Sequence, residues 1–204
     1  MERLMAGVKQ FQTEVFPEKR ALFKNLAGEQ HPEVLFITCA DSRIDPHLIT
    51  QSEPGDIFVA HNAGNLVPPE GSVRSSEAAS VEYAIKVLGV RQIVVCGHSD
   101  CGAMKAVARP ESQRGLPAVG DWLAHAQDAW RAAQSAGDAL DFDERLRILI
   151  EQNVLAQLQH LITYSVVTQA FSAGRLKLHG WVYDIETGKV YQHGPAQGLF
   201  VELT

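Results

Sequence analysis

Two short stretches of this sequence hold most of its reactive side chains. In Ile93-Val94-Val95-Cys96-Gly97-His98-Ser99-Asp100-Cys101-Gly102, a β-branched apolar run stops at a glycine, and an imidazole and a thiol follow at once. His98 and Cys101 are separated by two residues, so both side chains can close on one ion from a single turn. Nitrogen and thiolate donors suit zinc first. Val34-Leu35-Phe36-Ile37-Thr38-Cys39-Ala40-Asp41-Ser42-Arg43 has the same form, an apolar run ending in a thiol. If both runs are neighbouring strands of a parallel sheet with their carboxyl ends aligned, Cys39 meets His98 and Cys101. Three protein donors with one open position are the pattern of a catalytic zinc.

Such a zinc lowers the pKa of a bound water to roughly 7, from about 9 on the aqueous ion. The water needs orienting, and Asp41 stands two residues beyond Cys39. Its carboxylate can accept the water's hydrogen bond, or bind the metal and take the open position. Arg43 can hold that carboxylate bidentately away from the metal. The pair reads as a switch between an open and a closed zinc.

These residues need strands to carry them, and the rest of the chain provides a frame. Residues 1–30 place Leu4, Val8, Phe11 and Val15, then Leu22, Phe23 and Leu26, at helical spacing, with a break expected at Pro17. This is an N-terminal helical arm, able to cover its own sheet or a partner's. Asp45-Pro46 starts a helix, and Ile57 to Ala60 is a short strand. Ser72 to Leu88 is a helix closed by Gly89, and Gly102 to Ala108 another. Leu116 to about Ala136 and Phe142 to about Leu161 are long helices parted at Ser135-Ala136-Gly137-Asp138, and a shorter one stops at Gly174. Leu176 to Ile185 and Val190 to His193 form a hairpin about Glu186-Thr187-Gly188-Lys189. The fold class is α/β: a mostly parallel central sheet with an antiparallel edge hairpin, flanked by helices.

At 204 residues and 46% hydrophobic content, one domain over 1–204 is expected. The formal charge of −6 and the lack of any basic run argue against nucleic-acid or anionic-membrane partners. No apolar stretch is long enough to span a bilayer and no signal peptide is visible, so the expected location is cytoplasmic. Three cysteines, an odd number, favour thiolates or buried thiols over disulfides. Cys96, inside its strand, reads as a buried thiol.

Cys39-x-Asp41-Ser42-Arg43 followed by His98-x-x-Cys101-Gly102 resembles the β-class carbonic anhydrases. The resemblance runs over nearly the whole chain and takes in Glu53-Pro54-Gly55-Asp56, the loop from Asn62 to Pro68, Val81-Glu82-Tyr83-Ala84 and His179-Gly180-Trp181-Val182-Tyr183-Asp184. It implies zinc-dependent, reversible hydration of carbon dioxide to bicarbonate by attack of a zinc-bound hydroxide. Cys39, His98 and Cys101 become the ligands of one zinc per subunit, with Asp41 and Arg43 as the water-orienting dyad. Gln30, Phe58, Ala63 and Tyr83 become the lining of a small apolar pocket shared across a dimer, with the Gly102 amide nearby. The resemblance further implies a homodimer or homotetramer, with the arm lying on the partner subunit.

The chain departs from the pattern at particular positions. Many relatives carry arginine where His61 stands, and some bacterial members regulated by bicarbonate carry tryptophan in place of Phe36. Tyr183 alone of that bicarbonate site remains, so the zinc is expected to rest open. His61 is a candidate for proton transfer through its pKa range. Two other readings stand beside the main one. The same scaffold could hydrolyse carbon disulfide or carbonyl sulfide, or a zinc closed by Asp41 could serve structure alone. Trp122 and Trp130 read as packing residues.

Overall fold

The computed structural model describes residues 1–137 and 139–204, so Asp138 of the expected helix break lies outside the described residues. The chain divides into two units, residues 1–31 and 32–204.

In the first unit, α1 (Glu2–Gln10) runs through a π-helical turn at Phe11–Val15 into α2 (Phe16–Glu18), and α3 (Arg20–Leu26) follows. The break expected at Pro17 falls instead at Lys19, which leaves the helical region at φ −96°, ψ 11°. Pro17 sits in the first turn after the widened π segment, where its missing N–H costs nothing. The rings of Phe11, Phe16 and Phe23 pack on one another with centroids 5.4 to 6.0 Å apart.

The second unit begins with β1 (Val34–Cys39), α4 (Pro46–Thr50) and β2 (Ile57–Asn62). Asp45 caps α4 by accepting from His47 N and Leu48 N at 3.0 and 3.2 Å. Next come α5 (Ser76–Tyr83), a π turn at Ala84–Leu88, β3 (Gln92–His98) and α6 (Gly102–Ala108). The cap of α5 is Ser75, not Ser72, whose hydroxyl is occupied donating to Pro69 O at 2.7 Å. Gly89 ends this helix in the left-handed region, as expected, at φ +70°.

The segment read as one helix from Leu116 is two. A 3₁₀ turn at Ala124–Ala126 separates α7 (Pro117–Leu123) from α8 (Gln127–Gln134), and it presents the His125 carbonyl to Gln157 Nε2 at 3.3 Å. The chain continues with α9 (Phe142–Thr163), started by an Asp141/Glu144 capping box, α10 (Ser165–Ser172), β4 (Lys177–Tyr183), β5 (Val190–Gly194) and β6 (Leu199–Glu202).

The six strands form one sheet in the order β2-β1-β3-β4-β5-β6. The first four are parallel, and the last two run antiparallel as the expected edge hairpin plus a third strand. β6 escaped the sequence reading because it is four residues long and its Leu199 and Val201 face solvent.

Side chains alternate across this sheet. Leu35, Ile37, Ile93 and Val95 face α5 to α10 in the main core, while Phe36, Val94 and Cys96 form a smaller cluster with Trp181 and Tyr183. Two glycines let α9 lie close on β3 and β4. A Cβ at Gly97 would come within 3.0 Å of Val154 Cγ2, and one at Gly180 within 2.9 Å of Val154 Cγ1 and 3.0 Å of Leu158 Cδ1. Gly180→Ala is therefore expected to lower unfolding stability by roughly 1–3 kcal/mol through overpacking, measured by denaturant titration. An unchanged midpoint would mean α9 shifts freely.

One face of α9 is polar and buried, because it must satisfy the loop after β2. Asn153 Nδ2 donates to Gly64 O at 3.0 Å, and Gln157 Oε1 accepts from Val67 N at 2.8 Å. His160 Nδ1 lies 2.7 Å from Val67 O, and just past the end of α9 Tyr164 OH donates to Pro68 O at 2.7 Å. Asn62 closes the loop from within, accepting from Leu66 N and donating back to Leu66 O.

Candidate metal centre

β1 and β3 are neighbours with Thr38 opposite Cys96, and the chain leaves them in opposite directions along the sheet, to β2 and to β4. That divergence opens a crevice beyond their carboxyl ends. Cys39 is the last residue of β1 and His98 the last of β3, while Cys101 immediately precedes α6. Their sulfur and nitrogen atoms lie within 4.8 Å of one another, the only such cluster among the described residues. All three side chains are buried.

The hydrogen bonds around them determine which atoms are available. His98 Nδ1 lies 2.8 Å from the Ser99 carbonyl, which can only accept, so Nδ1 carries the proton. Nε2 keeps its lone pair and is buried with no partner. Ser99 is itself fixed, donating from N to Tyr183 O and accepting at Oγ from Ile185 N, both at 2.9 Å.

Cys39 Sγ lies 4.0 Å from Cys101 Sγ and accepts from Gly64 N at 3.3 Å. The hydrogen bond from Cys101, aided by the Gly64 N–H, holds the Cys39 thiol well below its ordinary range. Cys101 is pushed up by the sulfur beside it and by burial. Two sulfurs sharing a proton beside an orphaned imidazole nitrogen are groups that a thiophilic cation would satisfy. Two Zn–S bonds of about 2.3 Å spread tetrahedrally span roughly 3.8 Å, so the donor set fits zinc. Cys96 faces away from this cluster, and burial raises its thiol to about 12.

Asp41 and Arg43 stand at the mouth of the crevice. Arg43 Nε donates to Asp41 Oδ1 at 2.9 Å and Nη2 to Oδ2 at 2.8 Å, while the Arg43 amide adds a bond to Oδ1 at 3.0 Å. This fork holds the Asp41 carboxyl far below the usual carboxylate range. Asp41 Oδ2 is 3.9 Å from His98 Nε2, beside the donor set.

The other residues singled out in the sequence are placed less uniformly. Phe58 and Tyr83 touch, with ring centroids 5.9 Å apart. Ala63 adjoins Gly64 on the loop after β2, and its carbonyl accepts from Trp122 Nε1 at 2.8 Å, so Trp122 backs the loop. Gly102 opens α6, His61 is exposed on β2, and Gln30 belongs to the N-terminal unit.

Sequence reasoning missed two contributors. Gly64 puts its N–H on Cys39 from a left-handed backbone at φ +85°, where a Cβ would meet Ala103 Cβ at 3.0 Å. The turn-forming Asn62-Ala63-Gly64-Asn65 was the available signal. Asp100 takes the free side of the Arg43 guanidinium, and no local pattern announces that.

Comparisons with known proteins agree with this geometry. The carbonic anhydrase family model matches residues 34–190. A carbonic anhydrase of Pseudomonas aeruginosa is 50% identical over 203 residues, covering 100% of this chain and 92% of that protein. One from Synechococcus elongatus is 47% identical over 193 residues, covering 94% of this chain and 71% of that protein. Among solved structures, the β-carbonic anhydrase CcaA superposes with a TM-score of 0.97 at 43% identity, over 100% of this chain and 99% of that one. A tetrameric β-carbonic anhydrase of Sordaria macrospora superposes with a TM-score of 0.78 at 32% identity, over 95% and 93% of the two chains. With this sheet, this crevice and these relatives, the chain belongs to the β-class carbonic anhydrases and is an enzyme of that family.

Proposed function

We propose that the enzyme catalyses the reversible hydration of carbon dioxide to bicarbonate and a proton, with one zinc per subunit held by Cys39 Sγ, His98 Nε2 and Cys101 Sγ. The observation that carries the reading is a buried, unpartnered imidazole nitrogen converging with two buried sulfurs, beside a carboxylate gripped on both oxygens by arginine. A zinc bound there supplies Lewis acidity that brings the pKa of water towards roughly 7.

The rest is the work of the chain's own side chains. Ionised across the neutral range, Asp41 accepts hydrogen bonds and donates none, so it orients the reacting water by taking one of its protons in a hydrogen bond. Arg43 holds that carboxylate on both oxygens and would so keep it off a bound zinc; freed from the fork, Asp41 would be available as a further ligand, the closed state. The Ser99 carbonyl holds the His98 proton on Nδ1 and keeps Nε2 as a donor atom. Phe58, Ala63, Tyr83 and Gly102, with Gln30 across a dimer interface, line a pocket for a small linear molecule. His61, exposed on β2, is the candidate for passing the proton to solvent. Phe36, which packs edge-on against Trp181 at 5.9 Å, leaves no bicarbonate site beside Tyr183, and the enzyme rests open.

Residues 1–30 serve as an arm on a partner subunit within one working domain of residues 1–204. α1 exposes Leu4, Met5 and Val8, an apolar stripe that a second copy would cover. A homodimer is the minimum assembly and a homotetramer is consistent with the tetrameric Sordaria relative. The location is cytoplasmic, and no helix among the described residues is long and apolar enough to cross a membrane.

The test is stopped-flow hydration of carbon dioxide from about pH 6 to about pH 9 on protein of known zinc content. The rate is expected to rise with pH through an apparent pKa near 7. A rate that appears only above about pH 8 would show Asp41 closing the metal at rest and overturn the open resting state. Faster turnover of carbonyl sulfide or carbon disulfide by the same preparation would reassign the substrate.

A further inference from the structure

We propose that Asp100, braced by Lys105, is a positioning residue that anchors Arg43 and so keeps the Asp41 carboxylate on the arginine and off the metal. The inference rests on the assignment of Asp41 and Arg43 as the dyad. Asp100 occupies a position that His98-x-x-Cys101 leaves open, so the motif itself assigns it nothing.

Every guanidinium nitrogen of Arg43 is engaged. Nε and Nη2 hold Asp41, while Nη1 donates to Asp100 Oδ2 at 3.0 Å and Nη2 reaches the Asp100 carbonyl at 3.3 Å. The other carboxylate oxygen of Asp100, Oδ1, receives Lys105 Nζ from α6. These contacts differ in what they tie together. Asp41 and Arg43 sit on one loop and could swing as a pair. Asp100 belongs to the loop that carries His98 and Cys101, so its grip fixes the pair with respect to the donor set. Asp41 can move onto the metal only by leaving the fork, and a guanidinium held from behind cannot follow it.

Stability does not account for this carboxylate. Asp100 and Arg43 have side-chain exposures of 53% and 42%, where an ion pair contributes little to folding. The Asp100 backbone lies at φ +59°, a conformation glycine adopts more readily. Asp100→Gly therefore relaxes the backbone and removes only the anchor, so the fold and melting temperature are expected to hold. Asp100→Asn tolerates the same backbone and keeps an oxygen acceptor for Arg43.

The readout is azide binding to the cobalt(II)-substituted enzyme at neutral pH, followed by the visible spectrum, because azide and Asp41 compete for one coordination position. In Asp100→Gly the apparent Kd for azide is expected to rise roughly 10-fold, with hydration kcat falling by about the same factor, while Asp100→Asn stays within about 3-fold of the parent. The Kd increase should vanish in an Asp41→Asn background, since the effect acts through Asp41; a loop-folding role would persist there. An unchanged azide Kd in Asp100→Gly overturns the proposal. If Asp41→Asn alone leaves hydration intact, the dyad assignment is what fails.

Discussion

Replacing Cys39, His98 or Cys101 by alanine is expected to abolish both zinc retention and carbon dioxide hydration. The crevice offers two sulfurs and one nitrogen, and no further cluster of candidate ligands exists among the described residues to substitute for a lost member. Residues that only support a ligand typically contribute 10–100-fold to metal affinity, so loss of a ligand should exceed about 100-fold. Zinc content after dialysis against a weak chelator gives the answer, with circular dichroism reporting that the sheet persists. His98→Ala also removes the Nδ1–H bond to the Ser99 carbonyl and a fully buried ring, so the circular dichroism control carries most weight there. Stoichiometric zinc in any one variant would remove that residue from the ligand set.

Asp41→Asn should separate metal binding from turnover. Shape and volume are nearly conserved, and zinc is expected to remain stoichiometric. The amide, however, places an N–H₂ where a carboxylate oxygen now accepts from Arg43, and it can no longer take the water's hydrogen bond with full charge. Turnover is expected to fall by roughly 100-fold or more. The sign of the pH dependence follows from the lowered pKa. The Asp41 contribution is present at all pH values above that pKa and is lost only as pH falls through it, far on the acid side. The deficit of the variant should thus be uniform across the neutral range, measured as kcat against pH. A deficit within about 3-fold would leave the carboxylate without its assigned part.

Much of this molecule was legible without coordinates. The apolar runs before Cys39 and His98 are strands because β-branched residues fit a pleated, two-sided environment, and both runs end where a thiol or imidazole begins. Gly89, Asp45 and the Glu186-to-Lys189 turn marked element ends by local chemistry that does not depend on the rest of the chain. The errors arose where tertiary contacts overrule local preference. Pro17 is accommodated in the turn just after a π segment, the helix from Leu116 tightens at His125 opposite Gln157, and β6 is completed by its pairing with β5.

The amino-acid order alone determined which groups could do chemistry here: two thiols, an imidazole, a carboxylate and a guanidinium, each at or within four residues of the end of a strand, in an order that matches one family. Only the tertiary structure decided how those groups are held. The His98 proton is placed by a carbonyl, the Cys39 sulfur by the Gly64 N–H, the loop bearing Gly64 by the buried polar face of α9, and Arg43 by Asp100. Apart from the bond within the His98-Ser99 pair, these contacts join residues distant in sequence. Side-chain identity is written locally, whereas hydrogen-bond direction depends on where the backbone of another element arrives, and packing alone sets that.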